Sequence, residues 1–472
     1  MTPRKSNRYS PRRTLLIMYE TFVALAAASR DAAALIDGQS GEVIKRAALL
    51  GRSRDLAARF IEAGLRRGDL VGIQLPNSLD FVAAILAICQ LDLVAVPIDR
   101  DATETEVAAV LGQFSVRGLI YRAGRNGDTD VSIRQAVDRP GVIPADARLI
   151  KLTSGSTGKP KGIVTSEANL RADCTNICRT MRITSGDLNL GAIPFSHSYG
   201  FSNLVMPLLL QGTAVVVSND YLPQSILSLT NHHRCSVVPA IPMVFEHLTT
   251  LEPGNDFRSV RTFLSAGAPL PAAVSRRFRE RFGIAIHVFY GCSESGGITY
   301  DRDGGAAERG GVGAAMEGVA LQIDRRTARL SVRGEAVALG YLLDARTFQP
   351  FHEAFLTDDL AERDANGEVV LTGRAGDLIN TAGKKVNPRE VEHVLLQMEG
   401  IRQAKVYGEP AGARGEVVAA AIVASPDVTR EQVRSFCRQH LSAHKVPRIV
   451  KLIESIPVDE RGKVRRAALA LL

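Results

Sequence analysis

The stretch from Thr153 to Gly162 concentrates the residue types that bind phosphate. It reads TSGSTGKPKG and contains four hydroxyl residues, three glycines and two lysines. Glycine lets backbone N–H groups turn toward a ligand, and successive N–H groups in such a turn form an anion-binding nest. The composition therefore predicts a polyphosphate-binding loop rather than a solvated turn. It is not a Walker A loop, because Pro160 follows the Gly-Lys pair where that motif needs Ser or Thr.

This loop resembles the phosphate-binding loop of the adenylate-forming superfamily, which contains acyl-CoA synthetases, firefly-type luciferases and the adenylation domains of nonribosomal peptide synthetases. The resemblance implies that the loop binds ATP. The nucleotide-binding residues that it implies here are Thr153, Ser154, Gly155, Ser156, Thr157, Gly158 and Lys159.

Two later segments resemble the superfamily's acyl and adenine segments. PFSHSYGF contains His197, which the resemblance implies as a catalytic-site residue that gates or walls the acyl pocket; a histidine of the core is the alternative. SAGAPL resembles the segment that passes the adenine and the acyl group. Gly267 and Ala268 are assigned to that segment, where glycine lets the backbone approach a flat ligand.

YGCSESGG resembles the superfamily's YGxTE motif. Tyr290 would pack against adenine, with Gly291 beside it. Ser293 stands where the superfamily usually has Thr and keeps a hydroxyl for the α-phosphate. Glu294 would hold Mg²⁺, a hard cation that binds carboxylate and phosphate oxygens; an exposed loop carboxylate is the alternative. Ser293 and Glu294 are therefore both predicted for the catalytic set, and Glu294 as the metal ligand.

LTDDLA and the following Gly-Arg pair resemble the superfamily's ribose-binding and hinge segments. Asp359 aligns with the aspartate that accepts both ribose hydroxyls, and Arg374 would reach the ribose or a phosphate. Two departures stand nearby. Asp358 replaces the usual glycine, and Gly376 stands where the superfamily has Asp or Lys at the hinge.

Two segments near the end resemble the small C-terminal domain of the superfamily. AGKKVNPREVE places Gly383 against the thiol tunnel, and IPVDERGKVRR places Lys463 as the catalytic lysine. A carboxylate that attacks the α-phosphate brings two anions together. A lysine that bridges the two groups stabilises the charge that develops in the transition state.

The elements that must position these residues alternate between helix and strand. Helical periodicity runs from Val43 to Gly64, a strand from Leu70 to Leu75, and a capping box at Thr103 and Glu106 opens another helix. Such alternation predicts βαβ units with a parallel sheet. The predicted fold is α/β: a large multi-sheet N-terminal domain with a small barrel-like subdomain, and a smaller, mobile α+β C-terminal domain. The predicted boundaries are 1–18 for a basic tail, 19–373 and 374–472.

Composition narrows the class of protein. The 472 residues exceed one compact domain, and a net charge of +8 suits anionic ligands. The sequence has no stretch of interleaved aromatic and basic residues that would indicate nucleic-acid binding. The six cysteines form no CxxC pair, as in reduced cytosolic proteins. No run approaches the roughly 20 apolar residues of a membrane span, so we expect no transmembrane segment and a cytoplasmic location.

The resemblance implies an AMP-forming acid–thiol ligase. It would activate a carboxylic acid with ATP and Mg²⁺ to acyl-AMP, release pyrophosphate, and transfer the acyl group to CoA. The absence of a carrier domain before the end at Leu472 favours CoA over the phosphopantetheine of a carrier protein acting in trans. A catalytically inactive nucleotide-binding homologue is the other alternative, and the oligomeric state is open. A fatty or aryl acid is favoured by small or aromatic pocket candidates: Phe195, His197, Asn203, Ala266, Gly296 and Gly297.

Overall fold

A computed structural model describes residues 17–123, 128–133, 141–154, 160–252, 256–352, 354–381, 384–410 and 416–457. Contacts divide the chain into two units. The first comprises residues up to Thr175, Thr184–Asn219 and Ala338–Phe351, and the second comprises Asn176–Ile183, Asp220–Val337 and the chain from His352 onward.

The described α-helices, numbered along the chain, are α1 (Ile17–Ala28), α2 (Arg46–Glu62), α3 (Leu79–Gln90), α4 (Glu104–Gln113), α5 (Glu167–Met181), α6 (Ser198–Gly200), α7 (Met206–Gln211), α8 (Pro223–His233), α9 (Pro242–Leu248), α10 (Ala272–Phe282), α11 (Pro388–Leu395) and α12 (Arg430–His440). A π-helical turn occupies Phe201–Val205 and a 3-10 turn occupies Ala375–Asp377.

The described strands are β1 (Ala33–Asp37), β2 (Val43–Lys45), β3 (Leu70–Gln74), β4 (Val94–Pro97), β5 (Gly118–Ala123), β6 (Asp128–Ile133), β7 (Ala147–Ser154), β8 (Pro160–Ser166), β9 (Leu188–Gly191), β10 (Ala214–Val217), β11 (Val237–Ala240), β12 (Thr262–Ser265), β13 (Ile286–Cys292), β14 (Gly296–Tyr300), β15 (Ala314–Ala315), β16 (Ala320–Ile323), β17 (Arg329–Arg333), β18 (Gly340–Asp344), β19 (Thr347–Pro350), β20 (Phe355–Arg363), β21 (Val369–Arg374), β22 (Ile379–Thr381), β23 (Lys384–Val386), β24 (Ile401–Pro410), β25 (Glu416–Ala424) and β26 (Ile449–Leu452).

The first unit contains an eight-stranded sheet in the order β19-β18-β8-β7-β4-β3-β5-β6. Its centre is parallel, because β3 pairs in parallel with β4 and β5, and β4 pairs in parallel with β7. The β-branched residues Val94, Val96 and Ile150 pack against Phe114 in its core. Strands β9, β10, β1 and β2 are also neighbours within this unit, in that order. The parallel strands and their helices confirm the predicted α/β class.

The second unit contains strands β15, β14, β13, β12 and β11 as neighbours in that order, with β11, β12 and β13 parallel. An antiparallel sheet β16-β17-β20-β21 follows. The last segment forms the sheet β24-β25-β26, on which α11 and α12 pack through residues such as Val391, Leu395 and Val433. This α+β segment was also predicted.

Most predicted elements have the expected type, and one of them begins differently. The capping box is confirmed at α4, where Thr103 accepts from the backbone N–H of Glu106 and the Glu106 side chain accepts from that of Thr103. The prediction of a helix from Val43 is wrong at its start, because Val43–Lys45 forms strand β2 against β1. The hairpin of β18 and β19 was not predicted, and it pairs with β8 about 180 residues earlier in the chain.

None of the described helices combines the length and the apolar composition that a membrane span requires.

Candidate active site

The predicted phosphate loop connects two paired strands of the first unit. β7 and β8 form an antiparallel hairpin in which Thr153 lies opposite Lys161 and Ser154 opposite Pro160. Gly162 permits this pairing, since a Cβ there would lie 2.7 Å from the side chain of Ile150. Lys161 lies over the ring of Tyr341 at 5.2 Å from its centroid. The positions predicted for the loop itself, Gly155 to Lys159, lie outside the described residues, as does the side chain of Ser154, so their role stays a prediction.

His197 lies in the first unit, immediately before α6. Its Nε2 is 3.1 Å from Oδ2 of Asp99, and both side chains are about 30% exposed. Asp99 was not singled out from the sequence. Its only sequence signal is its position two residues after Pro97, where β4 ends.

A buried asparagine holds the backbone of the segment that carries His197. Asn77 is 6% exposed, and its Nδ2 donates to the carbonyl oxygens of Gly191 and Ile193, both at 2.9 Å. Its Oδ1 accepts from the backbone N–H of Phe195 at 2.7 Å. The sequence predicted a strand that ends at Leu75 and no role for Asn77. Asn77 instead ties the carboxyl end of β3 to the chain between β9 and His197.

Gly267 follows the end of β12, and Tyr290 lies near the end of β13, at the same edge of the sheet of the second unit. β12 and β13 are parallel neighbours, with Ser265 opposite Val288, so their carboxyl ends lie side by side. Gly267 has φ +87°, a left-handed conformation that favours glycine. Oγ of Ser265, just before Ala266, is buried and has no hydrogen-bond partner in the described structure. Buried polar atoms are normally hydrogen-bonded, so an unpaired hydroxyl here is consistent with a segment that binds a ligand. Ala268 follows in the same loop.

Tyr290, Asp359 and Arg374 come together in the second unit. The hydroxyl of Tyr290 donates to Oδ2 of Asp359 at 2.7 Å, and Nε of Arg374 donates to Oδ1 at 2.9 Å. Burial, followed by the charge of Asp359, raises the pKa of Tyr290 above its usual range, so the phenol stays a neutral donor. Each carboxylate oxygen has two acceptor sites. The carboxylate therefore keeps acceptor capacity for a pair of hydroxyls, as a ribose would present.

The neighbouring Asp358 faces away from this cluster. Successive side chains of a strand point to opposite faces, and Asp358 on β20 is 65% exposed whereas the Asp359 side chain is 11% exposed. Asp358 accepts from Nη2 of Arg329 at 2.9 Å on its own face. The additional charge is thus paired elsewhere, and the geometry of Asp359 is not disturbed by it.

Ser293 and Glu294 lie in the turn between β13 and β14, and both are half-buried. Gly291 allows the two strands to approach, since a Cβ there would meet the carbonyl oxygen of Gly296 at 2.5 Å. Among the described residues, no group of three or more His, Cys, Asp and Glu side chains is arranged for a metal ion. A single carboxylate fits Mg²⁺ bound mainly through phosphates, because Mg²⁺ usually takes one or two carboxylates beside phosphate oxygens and water.

The hinge region follows Arg374 as a 3-10 turn that contains Gly376. A Cβ at Gly376 would meet nothing within 4 Å. Gly373 is different, because a Cβ there would lie 2.6 Å from Oδ1 of Asn387, which caps α11 by accepting from the N–H of Arg389. Gly383 and Lys463 lie outside the described residues, so their roles stay predictions.

The sequence matches a family model described as AMP-binding enzyme over residues 22–342, and the model of its C-terminal domain over residues 390–463. The first match alone spans about two thirds of the chain.

The chain belongs to the AMP-binding enzyme family.

This family membership confirms the predicted adenylate-forming superfamily. A methyl-dioxo-octahydroindenyl-propanoyl:CoA ligase of Rhodococcus jostii is 28% identical over 94% of this chain and 97% of its own. A sulfoacetate–CoA ligase of Cupriavidus necator is 27% identical over 96% and 98%. The ATP-bound structure of MatB from Rhodopseudomonas palustris has the same fold, with a TM-score of 0.82, 24% identity, and coverage of 97% and 98%.

Proposed function

We propose that this AMP-binding enzyme activates a carboxylic acid with ATP to acyl-AMP and pyrophosphate, and then transfers the acyl group to the thiol of CoA. The predicted class, an AMP-forming acid–thiol ligase, is borne out by the CoA ligases that match along nearly the whole chain. The proposal rests on the carboxylate of Asp359. It is held between Tyr290 and Arg374 and keeps acceptor sites for a ribose.

The residue roles follow from this proposal. Asp359 and Arg374 bind the ribose, and Tyr290, Gly267 and Ala268 border the adenine. Glu294 holds Mg²⁺, which would neutralise phosphate charge, and Ser293 donates to the α-phosphate. Three groups supply the remaining roles: the loop from Thr153 to Lys159 for the β- and γ-phosphates, His197 for the acyl side, and Lys463 for the reacting carboxylate.

The small domain of the proposal begins at residue 374. Its support is local: β21 ends at Arg374, and the 3-10 turn that follows separates it from β22. Rotation of residues 374–472 about this turn would replace Lys463 by the loop of Gly383, so that the thiol reaches the acyl-AMP. The Lys463→Ala variant is expected to lose about 100- to 1,000-fold in adenylation, the usual cost of removing one group that stabilises transition-state charge.

The acid is proposed only as a class, fatty or aryl. The two CoA ligases above are almost equally similar to this chain, and by name one acts on a fused-ring propanoate and the other on sulfoacetate. Relatives of almost equal identity thus differ in the acid that their names give. A panel of straight-chain, aryl, fused-ring and short polar acids, with acyl-AMP trapped as the hydroxamate, tests the first half-reaction.

Acceptor choice is tested next, by adding either CoA or a phosphopantetheinylated carrier protein to the best acid. Formation of the acyl thioester with CoA supports the proposal, and formation with the carrier alone replaces it by the carrier-loading alternative. ATP binding without pyrophosphate release for every acid would instead support an inactive homologue.

A further inference from the structure

We propose that Asp99 is a positioning residue that fixes the ring orientation and tautomer of His197 beside the acyl substrate. The inference rests on the proposed function for its catalytic consequence, although the contact itself does not. Oδ2 of Asp99 lies 3.1 Å from Nε2 of His197. An ionised carboxylate only accepts hydrogen bonds. Nε2 must therefore carry the proton. In the neutral ring, Nδ1 is then the nitrogen that can accept a hydrogen bond.

Hydrogen bonds hold both the side chain of Asp99 and the chain that follows β4. The backbone N–H of Asp101 donates to Oδ1 of Asp99 at 3.1 Å, and Oδ2 is the oxygen that meets the histidine. The N–H of Ile98 donates to the carbonyl oxygen of Ile73, and the N–H of Ala102 to that of Asp99. A turn of this kind is a usual way to fix an aspartate side chain.

The backbone of His197 is held just as closely. Its N–H donates to the carbonyl oxygen of Pro194, and its own carbonyl accepts from the N–H of Phe201. Gly200 is required at this bend, since a Cβ would lie 2.1 Å from the carbonyl oxygen of Pro194. Asn77 anchors the same segment through Phe195. Hydrogen bonds within the protein thus hold both residues of the His197–Asp99 contact.

The pair also lies at the edge of the sheet from which the phosphate loop emerges. β4 and β7 are parallel, with Ala95 opposite Leu149. Asp99 comes two residues after β4 ends at Pro97, and Thr153 lies in the last two residues of β7, so both are at the carboxyl ends of neighbouring strands. Ligands of α/β sheets bind at this edge. His197 is accordingly oriented close to where the phosphates and the acid must meet, and all of these residues belong to one unit.

If the role of Asp99 were purely structural, replacing it would lower the melting temperature. The two side chains are about 30% exposed, and a pair so open to solvent adds little to stability. Removing it is expected to leave the melting temperature unchanged. Because the pair acts on the acyl side, kcat/KM for the acid is expected to fall while KM for ATP stays as in the wild type.

The experiment is a double-mutant cycle on acyl-AMP formation with the acid that the wild type uses best. Asp99→Ala and His197→Ala are each expected to lower kcat/KM for the acid about 10- to 100-fold, the scale of a misplaced group. The double variant is expected to be no slower than His197→Ala, because Asp99 acts only through the ring. Asp99→Asn is expected to be intermediate, since its amide oxygen still accepts from Nε2–H. Asp101→Asn is the matched control, an exposed carboxylate paired with Arg100, and is expected to behave as wild type.

Histidine ¹⁵N NMR supplies a readout that needs no turnover. The signal of His197, assigned by its loss in His197→Ala, is expected to show the Nε2–H tautomer in the wild type and Asp99→Asn, and a mixture in Asp99→Ala. Additive losses in the cycle, or the same tautomer in Asp99→Ala, overturn the inference. If the wild type forms no acyl-AMP with any acid while the tautomer responds as expected, the proposed function fails and the positioning of the ring by Asp99 stands.

Discussion

The hydroxyl of Tyr290 donates a 2.7 Å hydrogen bond to Oδ2 of Asp359, a residue 69 positions later in the chain. The bond joins the carboxyl end of the parallel strand β13 to the antiparallel sheet of β20. It fixes the aspartate on its buried face, while Arg374 holds the other oxygen. Neither donor uses up the acceptor sites of the carboxylate, which is the property a ribose site needs.

Replacing Asp359 by Asn is expected to raise KM for ATP and lower kcat/KM about 10- to 100-fold. The reason is the loss of hydrogen bonds between the ribose hydroxyls and a charged acceptor, worth about 1.5–3 kcal/mol each. Steady-state pyrophosphate release at varied ATP measures the effect. The adjacent Asp358→Asn is the matched control, because that side chain is 65% exposed on the opposite face. Equal losses in the two variants would show that Asp359 does not contact the nucleotide.

Replacing Tyr290 by Phe is expected to weaken ATP binding about 10-fold, since one buried donor to a charged carboxylate is lost. Burial and the charge of Asp359 raise the pKa of the Tyr290 hydroxyl above its usual range. The phenol therefore remains a donor at every assay pH, and KM for ATP in the wild type is expected to show no tyrosine ionisation between pH 6 and 9. Tyr300→Phe is the comparison, a buried tyrosine that stacks on His287 at 5.6 Å. A similar weakening in Tyr300→Phe would mean that the Tyr290 effect is general.

The two glycines beside the hinge predict opposite tolerance to alanine. Gly373→Ala is expected to lower the free energy of unfolding by about 1–3 kcal/mol, because its Cβ displaces Asn387, the cap of α11, whose Nδ2 also donates to the carbonyl oxygen of Thr372 at 2.6 Å. Gly376→Ala has open space and is expected to be neutral or stabilising by about 0.4–1 kcal/mol. Urea unfolding monitors both variants.

The open space at position 376 also bears on the departure of this chain from the superfamily, which is Gly376 in place of Asp or Lys. An Asp or Lys at position 376 has room for its Cβ, so Gly376→Asp is expected to fold as the wild type does. Equal destabilisation by Gly373→Ala and Gly376→Ala would contradict the steric account and point to a general sensitivity of the turn.

The sequence predicted those features that local chemistry determines. The capping box of Thr103 and Glu106 needs only two residues that are three positions apart. Asp359 could be predicted because it lies within a short sequence motif, LTDDLA. The contacts of Asp99 and Asn77 could not be predicted in this way. Asp99 meets His197 across 98 residues and Asn77 meets Phe195 across 118, so both contacts depend on which strands become neighbours. Helical periodicity likewise predicted a helix that starts too early, at Val43. Residues 43–45 form a strand instead, because they pair with β1.

The thiol of Cys292, between Gly291 and Ser293, is expected to be unreactive in the folded protein. Burial, followed by the charge of Glu294, raises the pKa of Cys292 to about 12, and its Sγ lies 3.1 Å from Oγ of Ser295. At pH 8 only a very small fraction of the molecules then carries the thiolate, against about one in four for an ordinary cysteine. The five other cysteines are buried.

Labelling with a disulfide reagent at pH 8 is therefore expected to be slow in the native enzyme and rapid at all six thiols in guanidinium chloride. Adenylation is expected to survive treatment with a maleimide, because the thiolate is the reactive species and is scarce. Peptide mapping identifies the labelled position. Fast modification of Cys292 in the folded protein, with loss of adenylation, would mean that the turn carrying Ser293 and Glu294 opens to solvent far more than its packing indicates.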